Sequence, residues 1–97
     1  MEVGVVDFSL PSGNVLVYPN PIESNATLEY ELVSSEEVTI DLVDIQGKLV
    51  QTFIANQNRP AGNHTATLHF DLNLPPSQYI LRIGNGVSHQ AVRIVKK

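Results

Sequence analysis

The sequence predicts an all-β fold, an antiparallel sandwich of two sheets, and three observations carry that prediction. Apolar residues recur at every second position in run after run, the period of a half-buried strand. No stretch shows the i, i+3, i+4 spacing of an amphipathic helix. The runs are short and separated by residues with turn chemistry, as in antiparallel sheets with one wet face.

The first run, Val15–Tyr18, is followed at once by Pro19-Asn20-Pro21. Each proline fixes φ near about −65° and lacks an N–H. Each also pushes its predecessor, Tyr18 or Asn20, toward extended geometry. The segment is expected to end a strand, cross rigidly from one sheet to the other and blunt an edge. Next, Ala26, Leu28, Tyr30 and Leu32 share one face while Thr27, Glu29 and Glu31 share the other. Val38, Ile40 and Leu42 alternate with Thr39 and Asp41. The stretch Asp44-Ile45-Gln46-Gly47-Lys48 fits a type I turn in which Asp44 accepts from the backbone and Gly47 takes a positive φ.

Residues 49–55 carry apolar side chains on both faces, and 56–63 (NQNRPAGN, with Gly62 near its end) reads as a longer polar loop. Ala66, Leu68 and Phe70 alternate with Thr67 and His69. Leu74-Pro75-Pro76-Ser77-Gln78-Tyr79 has the form of a tyrosine corner, in which the phenol returns to the backbone upstream. Tyr79, Leu81 and Ile83 then alternate with Ile80 and Arg82, and Asn85-Gly86 is a strong hairpin signal. In 87–95 the apolar parity changes, with Val87 on one face and Val92 and Ile94 on the other. A one-residue slip flips every side chain, so a bulge is expected near 89–91. About seven strands result, an immunoglobulin-like or fibronectin-like antiparallel β-sandwich over 15–97. Residues 1–14 read as a linker, with a candidate extra strand over 3–8.

Composition excludes several classes of function. The chain is 42% hydrophobic and 16% charged, well above the apolar content of a disordered segment. Its net charge of −4 argues against nucleic acid as a partner. No apolar run approaches the ~20 residues of a membrane-spanning helix, and the first 14 residues have neither the basic nor the apolar region of a signal peptide. There is no cysteine, hence no thiolate chemistry. Nine of the ten acids fall in residues 1–50 beside a single base, Lys48. The second half carries five bases and one acid, Asp71, and ends in Arg93-Ile94-Val95-Lys96-Lys97. Faces of opposite charge are expected to meet in the fold.

No constellation of catalytic residues stands out, and neither a cofactor nor a metal is expected. Glu36 and Glu37 are neighbours and on a strand point apart. His64 and His69 differ by an odd number and face apart too. Neither a Gly-x-Ser-x-Gly elbow nor a phosphate loop is present. Asn25-Ala26-Thr27 and Asn63-His64-Thr65 match the glycan-acceptor pattern. Sugar-binding sandwiches offer exposed aromatics; here there is no Trp, and Tyr30, Phe70 and Tyr79 read as inward, leaving only Phe8, Tyr18 and Phe53.

Five pieces in order carry a resemblance to a known family: Val17-Tyr18-Pro19-Asn20-Pro21; 38–44 running into Gly47-Lys48-Leu49-Val50; Ala61-Gly62-Asn63-His64; Leu74-Pro75 followed by Tyr79-Ile80-Leu81-Arg82-Ile83; and Arg93-Ile94-Val95-Lys96. Together they resemble the C-terminal sorting domain of the type IX secretion system (the Por secretion tail) of Bacteroidetes-type bacteria. The resemblance spans about residues 15–97. That family places Gly in the corner before the Tyr; Ser77 stands there here. The resemblance implies a non-enzymatic domain at the end of a larger cargo protein. It is read as an address by outer-membrane translocon components, and in many cargos a sortase-like cysteine protease then removes it and joins the new end to anionic lipopolysaccharide. The destination it implies is the cell surface or the extracellular space, by way of the periplasm. The cut would fall near 8–14. The basic terminal strand supplies the candidate recognition residues Arg93, Val95, Lys96 and Lys97, with edge pairing and charge steering as the means. A reading from another class is an accessory fibronectin-like adhesion, spacer or carbohydrate-binding module of a secreted protein.

Overall fold

The computed structural model describes residues 15–85 and 89–97. Period-two patterning becomes seven strands: β1 (Val15–Tyr18), β2 (Asn25–Leu32), β3 (Glu36–Asp44), β4 (Leu49–Arg59), β5 (Gly62–His69), β6 (Ser77–Gly84) and β7 (His89–Lys96). They form a three-stranded sheet in the order β1-β2-β5 and a four-stranded sheet in the order β4-β3-β6-β7, with every pairing between strands antiparallel. The two sheets pack as a sandwich. Candidate strand 3–8, the linker 1–14, Gly86 of the expected hairpin turn and Val87 lie outside the described residues.

The inward faces are those the alternation marked. Leu28, Ile40, Leu42, Leu68, Leu81, Ile83 and Ile94 are buried to within 1% of complete. Each such side chain stabilises the fold by about 1.5–3 kcal/mol relative to exposure. Tyr30, Phe70 and Tyr79 join them in one cluster. Phe53 of β4 is partly buried against that cluster and meets Phe70 edge to face, centroids 5.2 Å apart.

Two turns follow their chemistry. Asp44 Oδ1 accepts from the backbone N–H of Gln46 and of Lys48, each at 2.9 Å, and Gly47 N–H donates to Asp44 O at 2.9 Å. Gly47 has φ +89°, the left-handed region a side chain would resist. At the corner the Tyr79 hydroxyl donates to Pro75 O at 2.6 Å, with Leu74 packed against the core. Ser77, where the resembled family has Gly, simply opens β6 opposite Lys96.

Three expectations are corrected. The expected loop 56–63 is mostly strand: Gln57, Asn58 and Arg59 pair with Val38, Glu37 and Glu36, and Gly62 and Asn63 pair with Leu32 and Glu31. Polar side chains there report exposed strand ends, not missing ladder bonds. The bulge expected near 89–91 is absent, because β6 and β7 pair without a shift from Gly84–His89 to Ser77–Lys96. Gln90 occupies an inward position, so one parity runs through 90, 92, 94 and 96. The irregularities lie instead between β3 and β4, with shifts around Val38, Ile40 and Leu42. These shifts explain why 49–55 carries apolar residues on both faces. Finally, β1 and β2 are neighbours in the same sheet. The proline segment does not transfer the chain to the other sheet. It reaches across at Asn20, whose side chain bonds β7, and at Ile22, which makes a parallel bridge to Lys96, and returns.

Opposite charges from the two halves of the chain do meet. Arg82 grips Asp41 with two bonds of 2.8 and 2.9 Å, and Lys97 lies 3.6 Å from Glu23.

Candidate functional site: the terminal strand and its clamp

β7 closes the four-stranded sheet; among the described residues β6 is the one strand that pairs with it. Alternation along it places Gln90, Val92, Ile94 and Lys96 inward and leaves Arg93, Val95 and, beyond the strand, Lys97 exposed. The four candidate recognition residues therefore divide. Arg93, Val95 and Lys97 are presented outward. Lys96 is 9% exposed, and its Nζ lies 3.4 Å from Lys97 O.

The outer edge of β7 is partly covered, and the covering segment is the Pro19-Asn20-Pro21 stretch. Asn20 Oδ1 accepts from Val95 N–H at 3.0 Å, and Asn20 Nδ2 donates to Arg93 O at 3.5 Å. Ile22 N–H donates to Val95 O at 2.7 Å, and Lys97 N–H donates to Ile22 O at 2.8 Å. Ile22 itself is fully buried in the core cluster. Prolines on both sides of Asn20 cannot donate, so the edge is met by one carboxamide and one backbone residue rather than by a continuous strand. Both X–Pro bonds here, Tyr18–Pro19 and Asn20–Pro21, are cis. Beside this junction a surface groove of about 420 Å³ is lined by Pro19, Pro21, Glu23, Ser24, Asn25 and Lys97.

Two motifs some 75 residues apart in sequence thus form one structure. Sequence reasoning singled out both but did not bring them together, and it missed Ile22. The available signal was a lone branched apolar residue between Pro21 and Glu23, too short a pattern for any periodicity.

The remaining candidates stay apart. His64 stacks on Tyr30, centroids 5.2 Å apart, and bonds Pro60 O, while His69 faces outward to Asn25 Oδ1. Among the described residues no three His, Cys, Asp or Glu side chains converge on a metal position. No helix there is long and apolar enough to cross a membrane. Tyr18, exposed on the outer face of β1, donates to Glu29; that hydrogen bond first, then desolvation and the carboxylate's charge, raises its phenol above the ordinary value.

The class this defines is an all-β module whose conspicuous feature is a basic terminal strand fixed in place by the first turn of the domain. The chain belongs to the secretion system C-terminal sorting domain family, whose model matches residues 16–97. These domains are the sorting signals of type IX secretion. They form part of a larger cargo bound across the outer membrane for the cell surface or the extracellular space, and the family is not one of enzymes. No curated protein and no solved structure matches the chain.

Proposed function

We propose that residues 15–97 act as a folded address that outer-membrane translocon components read through the terminal strand, and that residues 1–14 join it to the cargo. A sortase-like cysteine protease then cuts within 8–14. The domain is substrate and ligand in these steps and performs no chemistry itself. The observation that carries the reading is the clamp of Asn20 and Ile22, which holds Arg93, Val95 and Lys97 outward in one geometry. A fixed, basic, partly apolar strand end is a surface that a receptor can recognise by shape and charge together. Lys96 contributes by packing, and its reversal would mix folding with recognition.

Charge reversal at the two outward cations tests this. In a reporter carrying the domain at its C-terminus, in a host with type IX secretion, Arg93→Glu with Lys97→Glu lowers surface delivery about tenfold or more. Both side chains are exposed, and an exposed pair such as Lys97–Glu23 is worth only about 0–1 kcal/mol, so the purified domain melts within a few degrees of the parent. Undiminished delivery of the doubly reversed fusion rejects the reading. The alternative of an accessory spacer or adhesion module shares the sandwich and the tyrosine corner. A spacer keeps its role when moved to an internal position; an address loses it.

A further inference from the structure

The edge of β7 follows a ladder with an open rung. In an antiparallel pair successive residues alternate between bonding the neighbour and facing away. The bonds at Val95 and Lys97 show that the odd-numbered residues of β7 face away from β6. Ile22 fills the rung formed by Val95 O and Lys97 N–H, in the manner of a parallel strand. The Asn20 carboxamide imitates a peptide group on the next rung, between Arg93 O and Val95 N–H. The third rung, Ala91 O and Arg93 N–H, has no partner among the described residues, because the chain turns away at Tyr18–Pro19 into β1 of the other sheet.

We infer that this rung is where the partner attaches: an extended backbone segment of the export machinery adds to β7 at Ala91 and Arg93, parallel to β7 as Ile22 is, and carries a carboxylate that meets the Arg93 guanidinium. The inference rests on the reading above and specifies its contact. Strand addition at an open edge supplies backbone bonds for affinity, and side chains beside the edge supply selectivity. Asn20 sets the register, since a segment running further toward Lys97 collides with it. Among the described residues Arg93 has no acidic neighbour in ion-pair range, whereas Arg82 is occupied by Asp41. A second copy of the chain is the poorer occupant. Two-fold edge pairing is isologous; centred here, it is antiparallel and brings the two Arg93 side chains into diagonal proximity, where like charges repel.

Proline at Arg93 removes the rung's own donor, because the Arg93 N–H points away from β6 and prolines are tolerated on edges; Arg93→Ala removes the guanidinium and keeps that N–H. In the reporter fusion, Arg93→Pro lowers surface delivery about tenfold or more below Arg93→Ala, while the melting temperature of the purified domain stays within a few degrees of the parent. Delivery by Arg93→Pro equal to that by Arg93→Ala overturns the inference. If Arg93→Pro fails to fold, amide exchange on the unmodified domain decides. Alone, Arg93 exchanges fast and Val95 and Lys97 slowly; with the purified translocon complex, Arg93 becomes protected. No gain of protection there overturns the inference, as does protection that appears instead through dimerisation of the domain alone. Loss of delivery in the Arg93/Lys97 reversal, with Arg93→Pro no worse than Arg93→Ala, leaves the address reading standing and removes the open rung as its contact. Failure of the unmodified fusion to reach the surface removes both.

Discussion

At the scale of single residues, Tyr79 shows how one side chain joins sequence, packing and titration. The residue is 4% exposed, and its hydroxyl donates to Pro75 O. Burial first, and the charge of Asp44 second, hold the phenol above its ordinary value of 10.0. The fold therefore favours the protonated form. Its contribution is intact below about pH 10 and is lost as pH rises through the raised folded value. Tyr79→Phe is expected to cost about 0.5–1.5 kcal/mol at neutral pH. Urea unfolding from pH 8 to 11.5 checks both parts: the parent loses stability above pH 10 more steeply than Tyr79→Phe, and the two curves converge. The corner was legible because Pro75 and Tyr79 stand at a spacing that only a turn explains. Asp44 and Gly47 were legible for the same reason. Ile22 was not, since nothing local distinguishes an isolated isoleucine that bridges a distant strand from one lying in a loop.

Among elements, the clamp on β7 is the feature that pattern reading reached only in part. The prolines were rightly seen as blunting an edge, yet which edge depends on where β7 lies, and β7 pairs with this segment across some 75 residues. Asn20→Ala removes both carboxamide bonds and leaves Val95 N–H to water. The expected loss of stability is about 0.5–1.5 kcal/mol, and amide exchange at Val95 speeds up while the β6–β7 ladder keeps its protection. Unchanged exchange at Val95 contradicts the clamp. The elements that misled are instructive too. A polar run was read as a loop over 56–63 although its backbone continues two ladders, because side-chain polarity reports solvent and not pairing. The bulge expected at 89–91 rests on the parity of Val87 against Val92 and Ile94, but β7 begins only at His89, and Gln90 keeps the inward parity despite its polarity.

For the whole molecule, alternation sufficed to give the sandwich and its core, since a buried face on a strand must recur at every second residue. The register shifts between β3 and β4 were beyond it, because apolar residues on both faces of 49–55 fit a bulged strand and a doubly buried one equally. The uneven distribution of charge also became physical structure: Asp41 with Arg82 and Glu23 with Lys97 join an acidic first half to a basic second half. On the final strand Arg93 is outward and, among the described residues, outside both ion pairs. The most direct measurement of the central claim is surface delivery of a periplasm-directed reporter, with and without residues 15–97 at its C-terminus, in a host with type IX secretion. Delivery that requires the domain, and that is lost when the same domain is moved to an internal position, is the expected result. A reporter that stays in the periplasm with the domain in place, or reaches the surface equally well without it, contradicts it.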